Sequence, residues 1–369
     1  MKALTIGSAM IDIIAIIRNE DIERVAMSNA SASFLLLEQG RKIDAESITI
    51  HVGGGGINTA VALRRLGHEA ASLVKVGRDL NAEKVRECLT LEGVACDLII
   101  PTDKAATGTA VMVSSHDRNA SIFTSRGANT LLKPEEVAAV DFSPYDLVYV
   151  SSLSGNSADC FPLILDRAKA AGAFVAANPG IRQLTSRGGA LLSSLAKLDL
   201  LTVNRTEAAG LTPSLAARFN LEAQPTVEMP AENCPPLLRL GLSFGGFDVS
   251  LPAFIAALRA LGLPQVLVTD GGDGAYLGDG EGIHYCPSLR VKVAGTAGAG
   301  DAFSSTFAAF LASGAPPQKA LRAASVNAAS VVSYVDTQSG LMTCADLEAQ
   351  LREIADILPT ALFPWRKAV

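Results

Sequence analysis

No basic stripe, no long apolar run and no paired-cysteine motif occurs in the 369 residues. Acidic residues (37) outnumber basic ones (31) for a net charge of −6. Without clustered lysine and arginine, extended nucleic-acid binding through phosphate contacts is excluded. No stretch approaches the roughly 20 apolar residues of a membrane span, so no membrane partner is expected. The six cysteines (Cys88, Cys96, Cys160, Cys234, Cys286, Cys344) lack any CxxC spacing and the four histidines are dispersed. That pattern predicts reduced thiols in a cytoplasmic protein and no zinc site. The apolar tract 3–17 is interrupted by Asp12 and has no small-residue cleavage site after it, so it reads as a buried strand with its exit instead of a targeting segment. Two nucleotide motifs are missing too. No Gly-Lys-Ser/Thr follows a glycine run, and the residues after the first apolar run read Gly7-Ser8-Ala9-Met10-Ile11-Asp12. A P-loop and an NAD-type first turn are both excluded.

What is present is 49% apolar content, ample for a buried core. Short apolar runs at 3–6, 71–76, 147–150, 173–177, 200–203 and 265–269 alternate with amphipathic stretches. Several runs are apolar throughout, as in parallel strands covered on both faces. The helical stretches 57–66, 82–92 and 157–171 each end at a glycine (Gly67, Gly93, Gly172), the residue that most cheaply adopts a left-handed cap. Repeated strand–helix units predict a doubly wound α/β sheet. After Gln265 the pattern is mostly helical, with candidates at 302–312, 317–332 and 345–357. Segments 13–51 and 96–126 break the rhythm with β-type alternation and a polar turn at 116–119, which predicts a small second sheet. Segment 211–248, rich in Pro and Gly, reads as an insertion.

Two glycine motifs carry the chemistry. The run Gly298-Ala299-Gly300-Asp301 enters an apolar helix. Small residues there let a ligand approach the backbone, and the free N–H groups of a first helical turn attract anions. A phosphoryl group in transfer would be stabilised by such an anion hole, and Asp301 could accept the proton of an attacking hydroxyl. The bland reading, Asp301 as a plain helix cap, does not require the upstream glycines. The other motif, Gly53-Gly54-Gly55-Gly56-Ile57-Asn58, also opens a helix. It is either a flexible hinge or a close-approach backbone with an outward amide at Asn58, suited to a polyol.

Two such motifs in this order, some 240 residues apart, resemble the signatures of the ribokinase/PfkB family of carbohydrate and nucleoside kinases. The resemblance implies a ribokinase-like three-layer α/β/α fold with a mostly parallel sheet and a small β-sheet lid. The core would be 1–12, 52–95 and 127–369, and the lid 13–51 and 96–126. Asp12, Gly53, Gly54 and Asn58 match acceptor-binding positions, and Gly298, Ala299, Gly300 and Asp301 the anion hole and catalytic base. Asn204 with Glu207 matches an Asn-x-x-Glu associated with Mg²⁺ and phosphate, the metal reached through water. Thr269, Gly271 and Gly274 match the nucleotide-binding strand end, and Asn327 the adenine pocket. ATP is then the co-substrate and a small sugar or nucleoside the partner, with a homodimer suggested by relatives that pair through their lids.

This sequence also departs from the family. Gly295 stands where relatives carry an Asp that helps ligate a monovalent cation, so weak or absent potassium activation is expected. The stretch Ser151-Ser152-Leu153-Ser154-Gly155 lacks the acceptor-binding Glu of ribose-specific relatives. Met10, Phe34, Met112 and Phe123 could supply a platform for a nucleobase, and Lys104, Arg118 and Arg126 the charge for a phosphorylated acceptor. The expected activity is an ATP-dependent kinase acting on a hydroxyl of a small sugar or related polyol. A nucleoside kinase and a non-catalytic sensor of either ligand are the alternatives.

Overall fold

The computed structural model describes residues 1–18, 23–26, 33–36, 40, 42–114, 121–228, 233–354 and 357–366. Along the chain, β1 (Lys2–Gly7), β2 (Met10–Ile17), β3 (Glu23–Ala26), β4 (Ser33–Leu36) and β5 (Ala45–Gly53) lead into α1 (Gly55–Arg65). Then come β6 (Glu69–Gly77), α2 (Leu80–Leu91), β7 (Ile99–Thr102), β8 (Gly108–Ser114), β9 (Ser121–Ser125) and α3 (Pro134–Ala138). The middle holds β10 (Leu147–Val150), α4 (Phe161–Ala170), β11 (Phe174–Ala177), α5 (Ile181–Ser194), β12 (Leu200–Asn204) and α6 (Arg205–Ala216). Next follow α7 (Pro236–Leu240), the hairpin β13 (Leu242–Phe244) and β14 (Phe247–Val249), α8 (Leu251–Ala260) and β15 (Gln265–Thr269). The last third comprises β16 (Ala275–Gly278), β17 (Gly282–Cys286), α9 (Ala299–Ala312), α10 (Pro317–Val331), α11 (Cys344–Glu353) and β18 (Ala361–Pro364).

Ten strands form one sheet in the order β18-β17-β16-β15-β12-β11-β10-β1-β6-β7. The seven from β15 to β7 are parallel, and β16, β17 and β18 extend the edge antiparallel. Both faces are covered, which explains the continuous apolar runs. Side chains such as Leu4, Val148, Val175 and Leu201 pack one way, against α4, α5, α6 and α8. Their alternates Leu147, Tyr149, Ala176 and Leu200 pack the other way, against α1, α9 and α10. Three layers result. Gly67, Gly93 and Gly172 all hold positive φ just past their helices, as the sequence pattern requires.

A four-stranded sheet, β5-β2-β8-β9, stands apart from the main one. Pairing sets Asp12 level with His51 and Ala110, and Ala110 with Thr124, so these share one face. Ile13, Ile50, Val111 and Phe123 lie on the other face, where Ile48, Ile50 and Phe123 are well exposed.

Several boundaries differ from the sequence reading. Residues 99–102, expected in the small sheet, pair with β6 as an edge of the main sheet. The three strands β16, β17 and β18 were hidden in a region read as helical, because four- and five-residue strands give little alternation to detect. Helix α6 runs to Ala216 through an internal Pro213, so the presumed insertion starts later than residue 211. The helix expected from 157 begins as a 3-10 turn, and α4 proper starts at Phe161. The polar turn at 116–119, Arg118 included, and the Phe34 side chain lie outside the described residues.

Candidate active site

The carboxyl ends of the parallel strands and the starts of α1 and α9 meet at one edge of the sheet, where open α/β folds place ligands. Gly54 is the N-cap of α1 with φ of 93°, and a Cβ on it would come within 2.6 Å of the Ser8 carbonyl oxygen. Only glycine turns the chain there without strain. Gly53 is needed for a different reason: a side chain at that position would overlap the Asp12 carboxylate. Gly298 is the N-cap of α9 with φ of 79°, backed by Thr337, whose Cβ lies 2.8 Å from where a Gly298 Cβ would be.

Asp301 does not cap its helix. Gly298 holds that place, and Asp301, on the first turn, accepts a hydrogen bond from Asn58 Nδ2 at 2.8 Å. Burial pushes the Asp301 carboxyl above the usual carboxylate range, and the Asn58 donor pulls it back. Asp12 is buried on the small sheet and its pKa is pushed up to about 6, by burial first and by the Asp301 charge second. Asn58 is equally buried, its Oδ1 accepting from Thr337 Oγ1 at 2.9 Å and from Gln338 Nε2 at 3.2 Å. So Asp12, Gly53, Asn58 and Asp301 converge, and Gly54 supplies the turn.

Beside them opens a cavity of about 590 Å³. Ala299 and Gly300 of the α9 start line it, together with Thr269, Gly271 and Gly274. A Cβ on Gly300 would meet nothing within 4 Å, so this backbone faces open space. The rest of the wall is largely apolar, with Leu289, Val291, Phe303, Ala328 and Val332.

Two expected nucleotide residues are not in that wall. Asn327 is fully buried, donating to Thr306 Oγ1 at 2.8 Å and accepting from the Met342 amide at 3.0 Å. It ties α10 to α9, while its neighbours Ser325, Ala328 and Ala329 line the cavity. Asn204 is also outside it. Its side chain accepts from the Glu207 amide and Glu207 Oε2 from the Asn204 amide, both at 2.9 Å. This reciprocal capping box is the bland reading of the Asn-x-x-Glu spacing. Yet Glu207 is no ordinary cap residue. Burial, with the Asp301 charge adding to it, lifts its carboxyl to about 7 against the pull of the Asn204 amide.

Sequence reasoning missed Thr337 and Gln338, and read Ser151 only as part of a stretch without an acceptor-binding Glu. Ser151 is buried with no partner for its hydroxyl, and it sits against Gly7 and Gly55 at the start of α1. Nothing in one serine of a Ser-Ser-Leu-Ser run or in a Thr-Gln pair marks these residues in sequence; only the fold brings them to the glycine turns.

The pfkB family carbohydrate kinase model matches residues 2–227 and 244–344. Deoxyribokinase of Salmonella typhi is 26% identical over 330 residues, covering 88% of this chain and 94% of that protein. Among solved structures, Arabidopsis thaliana ribokinase complexed with ribose and ATP superposes with a TM-score of 0.69 at 22% identity, over 95% of this chain and 98% of that one. A Burkholderia thailandensis nucleoside kinase in complex with inosine gives 0.70 at 16% identity, over 97% of this chain and 100% of that one. With the model spanning both glycine motifs and most of the residues between them, the chain belongs to the pfkB family of carbohydrate kinases, enzymes that transfer a phosphoryl group to an alcohol.

Proposed function

We propose that the protein is an ATP-dependent kinase for a hydroxyl of a small sugar or related polyol, with Asp301 as general base. One observation carries this. Asp301 stands at the seam between the polar cluster of Asp12, Gly53 and Asn58 and the cavity lined by Ala299 and Gly300. The acceptor occupies the first, held by Asp12 and by the second N–H of Asn58. ATP occupies the second, its base among the apolar side chains and its terminal phosphate toward the α9 start. Asp301 takes the hydroxyl proton as the new bond forms, and the Ala299 and Gly300 amides stabilise the charge on the transferring group. Because the transition state is loose, positioning contributes more than basicity. The small sheet, whose Asp12 face looks onto the acceptor, serves as the lid that keeps water out.

No group of three His, Cys, Asp or Glu side chains that could hold a metal ion is found among the described residues. Mg²⁺ would be held mainly by phosphate oxygens and its own water, with Glu207 as its protein contact through water. When bound, the ion neutralises phosphate charge. The position of Gly295 does not suit a monovalent cation. The Tyr334 and Val335 carbonyls lie 3.1 and 3.2 Å from where its Cβ would be, but glycine offers no side-chain oxygen to join them. Turnover is therefore expected to be unchanged when potassium is replaced by tetramethylammonium in steady-state assays. A potassium-specific rise of several-fold would refute this.

The nucleoside reading draws support from Met10 and Met112, which share the Asp12 face of the small sheet. Phe123, the aromatic candidate for stacking a base, is on the opposite face, so the sugar reading leads. Measuring ADP release with MgATP over sugars and nucleosides separates them. Sugars should give the higher kcat/KM; preference for nucleosides would reverse the order, and no transfer to either class would end the proposal.

A further inference from the structure

An amide can present either end to a carboxylate, and which end Asn58 presents to Asp301 is fixed from outside the pair. The Val52 carbonyl, at the root of the small sheet, can only accept. The group of Gln338 that meets it at 2.9 Å is therefore its Nε2. The same nitrogen lies 3.2 Å from Asn58 Oδ1, and the Thr337 hydroxyl donates to that oxygen at 2.9 Å. With two donors on Oδ1, Nδ2 is left facing Asp301 Oδ2 at 2.8 Å. A flipped Asn58 would set N–H against N–H at Gln338 and oxygen against carboxylate at Asp301. The loop bearing these donors is itself held. Asp336 Oδ1 accepts from the Gln338 and Ser339 amides at 2.9 and 2.7 Å. Arg65, paired with Glu92, donates to the Gln338 and Leu341 carbonyls at 2.7 and 2.9 Å.

We infer that Thr337 and Gln338 are positioning residues for phosphoryl transfer, fixing the Asn58 amide so that its N–H orients Asp301. This rests on the reading of Asp301 as base. Such a donor matters because burial disfavours the Asp301 charge. Asp12 from β2, Glu207 from α6 and the buried Tyr149 from β10 are the titratable groups that feel it. None of the described groups that set its charge state is a cation; the Asn58 N–H is the one that favours the carboxylate. Removing the polarity of the relay frees Asn58 to turn its oxygen inward, and the base then protonates at higher pH.

The test is a set of variants of the full chain, assayed with whichever sugar or nucleoside gives the wild type its highest kcat/KM. Thr337→Val keeps the shape that backs Gly298 and removes the donor, and Gln338→Leu removes the other. Each should lower kcat about tenfold with the KM for ATP little changed. The acid limb of the pH–rate profile should move upward by about half a unit or more. Thr337→Ser, which restores the hydroxyl, should recover most of the loss. Wild-type kcat and an unmoved acid limb in both variants would overturn the inference. Equal losses in Thr337→Ser and Thr337→Val would also overturn it, since they would mark a packing role. Melting curves identify a variant that fails to fold, and the other then decides. Asp301→Asn run alongside separates the two readings. If it is inactive while the relay variants are fully active, only the relay falls. If it is active, the base reading falls and takes the relay with it.

Discussion

Asp301→Asn is expected to lower kcat by roughly 10²–10⁴-fold, the usual contribution of a positioned general base, while acceptor and ATP affinities stay close to wild type. The substitution is nearly isosteric, and the new carboxamide oxygen can still accept from Asn58, so the arrangement of α1 against α9 survives. What is lost is the carboxylate proposed to take the acceptor proton. Steady-state kinetics paired with titration calorimetry separates the two effects. A variant with near-wild-type kcat would remove Asp301 from the chemistry, and a variant that no longer binds acceptor would make it a binding group instead.

Asp12→Asn should move stability and binding in opposite directions. The Asp12 carboxyl is raised from an unfolded value near 3.8 to about 6, chiefly by burial. A group whose folded pKa is raised contributes stability that is complete below the unfolded value and is lost as pH climbs through the folded one. Two units correspond to about 3 kcal/mol, as an order of magnitude, of destabilisation carried by the ionised group at pH 8. Asparagine carries no such charge. Its variant should therefore melt higher than wild type at pH 8, with the gain vanishing toward pH 4. The raised carboxyls of Glu207 and Asp301 act in the same direction, so the wild type itself should lose stability between pH 5 and 8. Binding runs the other way, because hydrogen bonds from acceptor hydroxyls to a charged oxygen are worth about 1.5–3 kcal/mol. Acceptor KM should rise roughly 10- to 100-fold at pH 8. A variant that melts lower at pH 8 and keeps its acceptor KM would contradict both halves.

Which parts of this were legible in the sequence follows from how local their cause is. Strands buried on both faces announce themselves as unbroken apolar runs, and Gly67, Gly93 and Gly172 mark helix ends by a single backbone requirement. The glycine turns at Gly54 and Gly298 were readable for the same reason: each is forced by its own φ. Asn327 was misplaced because a helix exposes different faces to different neighbours, and one position along α10 decides between an internal tether and a cavity wall. The Asn204 and Glu207 pair shows a local rule and a distant one acting together. Their spacing makes a cap, while the lift in the Glu207 carboxyl comes from burial and from Asp301, 94 positions away in sequence. Thr337 and Gln338 were invisible because their meaning lies in a contact with Asn58 across some 280 residues.

The most direct test of the central claim is acceptor-dependent ADP formation by the wild type under MgATP, with the phosphorylated acceptor identified in the same reaction by mass spectrometry. ADP and phosphorylated sugar are expected in equal amounts, with little ADP without acceptor and a rate roughly 10²–10⁴-fold lower with Asp301→Asn. A sugar that raises the melting temperature while ATP stays intact would contradict it and make the protein a sensor built on a kinase fold.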